Sequence, residues 1–567
     1  MSQQSAPSRS LSLIWPLAAV LISLILILIR VLPMGGPIVF ADEYQYAARI
    51  SALYQGLKAP PQVAAFSNWL YLRIYEIVFA GSGSFLITAR ILNAVISAMS
   101  AGLLVYIFNS SKEIGKSTPA LAAALAIGFT VTLSGAYAGY FMPEAPYFAA
   151  VCLLLFCVWK HALAPRMATA IVLGLAGGVA NMTKTHGFLL LPATLVVVVL
   201  IGFASKSGWI KATSYGAAMI FAWLACTTTI SIVLGHGAEL NPLGEFYTNI
   251  GSQAAANADS AGLSLVLQVM LRHLATLALL IGLPLILCSW LALKALFHSA
   301  DADFEPLRYL ALLLGCTLLG MILITATFTV GVSSNGPYES LTRLHGRYYE
   351  HIAVLAACIG IVSGRQILIQ WSWKIRLIIG VAFIALLMLS LGVLKSVGWQ
   401  GPADFAFTYA MFATHSGRYQ AVFLAAASGV MALVWPRHAS SILASALLLW
   451  FALDIVKMEQ LRWHLADQPA DRVAAMIADV EAGSGHRAKV EIIGQRKSAD
   501  LYRAAFHLLQ EDVEIPTESN ATQCGEHGTA PKWVITIGQV DNPCGFPETL
   551  RIDDVAASLA NQPAIHH

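Results

Sequence analysis

The chain has 567 residues, of which 57% are hydrophobic and 11% charged, with a formal net charge of +3. That composition, with a positive mean hydropathy, excludes an ordinary soluble enzyme and reads as an α-helical polytopic membrane protein. The small net charge argues against a nucleic-acid partner.

In chain order, apolar runs near twenty residues mark membrane spans. They fall close to 11–33, 85–107, 118–135, 146–163, 168–184, 187–204, 213–234, 272–296, 308–330, 348–363, 376–395, 420–435 and 439–457, which makes about thirteen. The first is too long for a signal-peptide core and lacks a clear small-residue cleavage site near Met34-Gly35-Gly36, so it reads as a retained helix. Cys152, Cys157, Cys226, Cys288, Cys316 and Cys358 lie in apolar spans and read as small core residues.

The basic residues of short loops set the orientation. Arg9, Lys112, Lys116, Lys160, Arg166, Lys206, Lys211, Lys294, Arg308, Arg365, Lys374, Arg376 and Arg437 fall on one side, which is the cytoplasm by the positive-inside rule. The other side receives loop 34–84, the short loop around Glu144, loop 235–262 without Lys or Arg, loop 331–347 and the tail. In the first of these, Phe66, Trp69, Leu70, Leu72, Tyr75 and Ile77 predict a helix lying along the interface.

From about 460 the character changes. Lys489–Gly494 and Lys532–Ile537 read as strands and Ala499–Leu509 as a helix between them, a small outer α/β domain. The division is a transmembrane domain over 1–458 and a soluble domain over 459–567. Cys524 and Cys544 flank the second strand, either as a disulfide suited to an oxidising compartment or as two thiols.

The chemistry-bearing residues gather on the outer side. Asp42 and Glu43 follow directly on the first span; they read either as a helix-starting acidic pair or as a catalytic base and its support. Glu144 sits between Pro143 and Pro146, which fix the backbone around it; the bland alternative is a helix N-terminal carboxylate. Lys184, in Asn181-Met182-Thr183-Lys184-Thr185-His186-Gly187, breaks the positive-inside pattern. Binding an anionic group explains it, and so does snorkelling.

Arg343, His345 and Arg347, followed by Tyr348, form a second basic cluster. Arginine grips phosphate through two oxygens at once, although Arg347 and Glu350 could pair three residues apart on one helix. Separated acids with phosphate-gripping cations suit transfer of a sugar from a lipid phosphate. A carboxylate takes the acceptor proton, cations stabilise the leaving phosphate, and attack opposite the leaving group inverts the anomeric carbon.

These residues resemble a known family. The Asp42-Glu43 pair with Tyr46 and Ala47, Thr88-Ala89-Arg90-Ile91-Leu92, Met142-Pro143-Glu144, the stretch from Gly177 to Pro192 with Thr183-Lys184, and Gly346-Arg347-Tyr348 are similar to motifs of the GT-C membrane glycosyltransferases. The nearest branch contains the protein O-mannosyltransferases and the lipid A aminoarabinose transferase. Where that family's Arg-Tyr motif runs into prolines, this chain has Tyr349-Glu350-His351.

The resemblance, over roughly residues 11 to 360, implies an undecaprenyl-phosphate type of donor and a periplasmic active site in a bacterial inner-membrane protein. Asp42 is then the leading base, with Glu43 and Glu144 orienting the acceptor, supporting the base or holding a divalent cation such as Mg or Mn. Lys184, Arg343, His345, Arg347 and Tyr348 would meet the donor phosphate. The acceptor is a lipid, glycan or protein, membrane lipids surround the chain, and a monomer is expected. Two rival readings are a lipid-linked sugar flippase or transporter, which would need polar groups along the spans, and a lipid-linked glycan polymerase or ligase, which would not need the first-loop acids.

Overall fold

The computed structural model describes residues 11–38, 40–57, 68–80, 85–109, 119–205, 208–234, 263–297, 305–333, 340–397, 400, 404, 406–465, 468–482, 488–494, 499–509, 511–515, 533–537, 548–552 and 554–559. Loop 235–262, Cys524 and Cys544 lie outside them. A bilayer offers no water to backbone amides, so apolar runs of spanning length close their hydrogen bonds internally as helices. Among the described residues twelve helices are long and apolar enough to cross a membrane, and together they make a multi-pass membrane protein.

In chain order the helices are α1 (Leu11–Val31), α2 (Phe40–Tyr54), α3 (Trp69–Ala80), α4 (Phe85–Asn109), α5 (Pro119–Phe129), α6 (Gly135–Ala138), α7 (Glu144–Leu163), α8 (Met167–Thr183), α9 (Leu190–Ala204) and α10 (Gly208–Val233). They continue as α11 (Leu263–Leu296), α12 (Glu305–Val332), α13 (Glu350–Gln370), α14 (Trp373–Val393), α15 (Tyr409–Ala413), α16 (His415–Val434) and α17 (Ala439–Leu465).

Each of the twelve matches an expected span. The thirteenth expectation, 168–184, corresponds to α8, which has 17 residues and ends where Lys184 takes an extended conformation (φ −147°, ψ 131°) and the 3-10 turn Thr185–Leu189 follows. Helix α11 starts earlier than its apolar run suggested and is broken at Ile281 (φ −135°, ψ 24°), three residues before Pro284, whose ring removes a donor and crowds the preceding turn. Helices α8 and α10 pack closely because α8 carries Gly174, Gly177 and Gly178; a Cβ on Gly177 would lie 1.8 Å from Trp223 Cζ3.

A π-helical turn, Thr130–Ser134, joins α5 to α6. Such turns cost helix regularity and re-aim the next segment. Here the carbonyls of Val131 and Ala136 accept from Arg30 and Arg462 on α1 and α17. Both arginines also reach Glu459, at 2.7 and 3.2 Å.

Helix α17 runs past 458, where the sequence suggested a boundary, to Leu465 before the C-terminal α/β part begins. That part holds α18 (Pro469–Glu481), β1 (Lys489–Gly494), α19 (Ala499–His507), β2 (Asp512–Glu514), β3 (Trp533–Ile537), β4 (Glu548–Ile552) and β5 (Val555–Leu559). The sheet order is β2-β1-β3-β5-β4. Strand β1 is parallel to β2 and β3, with Ile492 opposite Ile535, while β5 is antiparallel to β3 and β4.

The soluble core of Val490, Ile492, Ala504, Leu508, Ile535 and Ala557 also takes in Tyr44 and Ala48 from α2. The contact continues at Ser51, whose Oγ donates to the Leu509 carbonyl at 2.8 Å. The Phe506 ring lies 5.7 Å from Phe85 and 6.5 Å from Phe141. Helix α3 buries Tyr71, Leu72, Tyr75 and Phe79 and leaves Ile77 outward.

Candidate active site

Two buried clasps hold the α1–α2 and α6–α7 connections together. Glu43 accepts from the Ile38 amide at 2.6 Å and from the Phe141 amide at 2.7 Å, one on each of its oxygens. Arg90 on α4 donates to the carbonyls of Met34, Gly36 and Gly139. Buried charges are tolerated when hydrogen-bonded in this way. Glu43, expected beside the base, therefore has a framework position: both oxygens hold backbone.

Asp42 precedes Glu43 by about 100° of helical turn and points elsewhere. Its side chain is 34% exposed and pairs with Arg347 Nη1. Burial lowers the proton affinity of Arg347, but Asp42, then Tyr348 and Glu144, outweigh it and hold the guanidinium well above the usual arginine value. The pairing of Arg347 with Glu350 that their spacing allowed is not formed. Glu350 instead accepts from Tyr137 Oη and the Ala406 amide, both at 2.9 Å, and from the Phe407 amide at 3.2 Å.

Glu144 opens α7 and meets Lys184 Nζ at 2.8 Å, both side chains nearly inaccessible. Its other oxygen, Oε2, is buried with no hydrogen-bond partner among the described residues. Tyr348 connects this pair to the first. Lys184 Nζ stands 5.3 Å from its ring centroid, Arg347 Cζ 5.1 Å, and Arg347 Nη2 donates to its hydroxyl at 3.2 Å. His186 stacks on the ring at 4.4 Å. Asp42, Arg347, Tyr348, Lys184 and Glu144 thus form one continuous line of contacts. Tyr46, on α2, senses both ends: burial first, then Glu144 and Asp42, push its phenol well above the ordinary value.

The remaining predicted residues hold the segment that carries Arg347. Arg343 grips Asp404 through Nε at 2.8 Å and Nη2 at 3.0 Å. The Asp404 carbonyl takes the Arg347 amide at 2.7 Å, and Gln400 Oε1 takes the Leu344 amide at 3.1 Å. His345 Nδ1 is 3.0 Å from Thr329 Oγ1. Burial raises the Asp404 carboxyl, but Arg343, followed by His345, outweighs it and holds it below the ordinary carboxylate value.

Three of these partners were not singled out in the sequence. Asp404 and Gln400 lie in the non-apolar stretch between two spans, where an acid three residues after Gly401-Pro402 gave no sign of a partner 61 positions away. Asn68, 2% exposed, bonds Tyr46 Oη at 3.2 Å and receives the Thr185 amide and hydroxyl at 3.0 and 2.8 Å. It thereby ties α2 to the Lys184 turn.

Of the three acids proposed for a divalent cation, Asp42 and Glu144 each face a cation and Glu43 faces two amides.

No protein-family model and no curated protein matches the chain. Among solved structures it is similar to ArnT from Cupriavidus metallidurans bound to undecaprenyl phosphate, at 13% identity over 97% of this chain and 99% of that one, with a TM-score of 0.48. The apo state of ArnT from Cupriavidus metallidurans gives 14% identity, 96% and 97% coverage and a TM-score of 0.47. The arabinosyltransferase EmbB from Mycobacterium smegmatis gives 13% identity, 86% and 44% coverage and a TM-score of 0.43.

Proposed function

We propose that this protein is a GT-C-type inverting glycosyltransferase that moves a sugar from a polyprenyl-phosphate donor to a hydroxyl or phosphate of a lipid, glycan or protein acceptor. The periplasmic face of a bacterial inner membrane is the assigned location. The observation that carries this reading is the line from Asp42 to Glu144: a half-buried carboxylate held against an arginine, joined through Tyr348 to a buried lysine-carboxylate pair.

In this reading Arg347 and Lys184 receive the donor phosphate, and Arg343 and His345 act through the segment they hold. Arrival of the phosphate gives Arg347 an anion that can take two of its donors at once, where Asp42 takes Nη1 alone. The Asp42 oxygen so released faces the acceptor. The acceptor oxygen attacks the anomeric carbon, the bond to the phosphate oxygen breaks with its electron pair on the phosphate, and the proton passes to Asp42. Arg347 and Lys184 hold the charge that grows on the leaving phosphate. Glu144 holds Lys184 in place through its 2.8 Å ion pair.

The test is purified full-length protein assayed with a polyprenyl-phosphate sugar and, separately, with a lipid-diphosphate glycan. Transfer from the first alone supports the reading. Turnover of the second alone favours a polymerase or ligase, and binding without turnover of either overturns the enzyme assignment.

A further inference from the structure

A second feature lies at the opposite membrane face from the candidate site. Helix α13 begins beside that site at Glu350 and runs 21 residues to Gln370, about 30 Å, so the turn into α14 sits on the other side. There α14 and α16 cross at two glycines: Gly380 meets Leu433, and Gly429 meets Phe383. Alongside this contact runs an open groove of about 580 Å³, lined by Trp373, Leu377, Val381, Ile384 and Val430 with Arg376 among them. From Trp373 to Ile384 the groove follows about 16 Å of helix, close to the thickness of one leaflet's hydrocarbon layer, about 15 Å.

The mouth of this groove is cationic. Lys374 and Arg376 start α14, and Arg437 and His438 follow Trp435 in the 3-10 turn Pro436–His438. No Asp or Glu occurs between Glu350 and Asp404, or between Asp404 and Asp454, so these three helices bring no acid to balance it. Arg376 Nη1 donates to the Leu433 carbonyl at 2.9 Å. Its Nε is buried and meets no acceptor among the described residues. Trp373 and Trp435 are 64% and 55% exposed, as aromatic residues are at the headgroup level.

We propose that this groove binds one anionic phospholipid. One acyl chain lies along Leu377, Val381 and Ile384, and the headgroup phosphate lies at Arg376 with Lys374 and Arg437 around it. An apolar channel one leaflet deep requires a chain, and a cationic mouth requires net negative charge, which a zwitterionic lipid cancels with its own cation. The site is independent of the sugar-transfer reaction proposed above.

Full-length protein, purified in detergent and stripped of lipid, would be titrated with phosphatidylglycerol, phosphatidylcholine and inorganic phosphate and read by native mass spectrometry. One phosphatidylglycerol is expected to bind at least tenfold more tightly than phosphatidylcholine. Arg376→Gln with Arg437→Gln should weaken phosphatidylglycerol about tenfold and leave phosphatidylcholine unchanged. Val381→Trp, filling the groove from an exposed position, should weaken both. If the Arg376 variant does not fold because the Leu433 carbonyl loses its donor, Lys374→Gln with Arg437→Gln, on exposed side chains, carries the same comparison. Equal affinity for the two lipids, indifference of phosphatidylglycerol to both the charge and the groove variants, or inorganic phosphate binding as tightly as the lipid would each overturn the proposal.

Discussion

Arg347 and Asp42 pair across 305 positions of sequence, joining the segment before α13 to the helix after the first span. The pair has two uses in the proposed reaction: it parks the base and it orients the phosphate grip. Asp42→Asn keeps the shape of the side chain and removes the base. Folding and donor binding are expected to persist while transfer falls by about a hundredfold to ten-thousandfold, the usual worth of a positioned base. Measured kcat with a polyprenyl-phosphate sugar decides it, and full activity removes Asp42 from the mechanism.

The Glu144–Lys184 pair is buried on both sides, so breaking it costs more than the pair itself contributes. Glu144→Gln leaves the lysine without its counter-charge and is expected to destabilise the protein by about 3–5 kcal/mol. Glu144→Gln combined with Lys184→Met should recover most of the thermal stability and none of the activity. Equal melting temperatures for single and double variants would contradict this.

Asp404 offers a pH test. Its folded-state proton affinity lies below the ordinary carboxylate value, so the group stabilises the fold fully above the unfolded pKa of about 3.9 and loses that contribution as pH falls through the lower folded value. Thermal unfolding in detergent should show wild-type stability declining below about pH 4 more steeply than that of Asp404→Asn. At neutral pH the variant is expected to lose activity with its grip on Arg343.

The soluble domain is expected to act as a support for α2. Phe506→Ala removes a ring packed near both Phe85 and Phe141, and a loss of about 3–5 kcal/mol is usual for such a buried truncation. Hydrogen exchange should rise in α2 and α19 and stay unchanged in α9 and α10, with kcat reduced. Unchanged protection of α2 would separate the domain from the catalytic helix.

The range of each interaction decides how much of the fold and the site is legible in the sequence. The spans were readable because hydropathy is local, and even the short α8 was visible as an apolar run; it ends at Lys184, a residue already conspicuous for its charge. Asp42, Glu144, Lys184 and Arg347 could be selected because ionisable groups at membrane borders are costly. Which of them pair could not be read, since each partner lies on another connection. The local rule of pairing three residues apart proposed Arg347 with Glu350, whereas the amides of Ala406 and Phe407 claim Glu350. Glu43 looked like its neighbour in sequence and differs only by the turn of a helix, which aims it at Ile38 and Phe141. Asp404 and Asn68 carried no local mark because they act through backbone and side-chain partners far along the chain.

The hydrogen bond from Ser51 to Leu509 spans 458 positions. On the ribosome, α2 is among the earliest segments made, yet its final seat does not exist until residues near Phe506 have been synthesised. A nascent chain would insert its spans one after another with Asp42 still unplaced, and the proposed sugar transfer would begin only once translation is nearly finished.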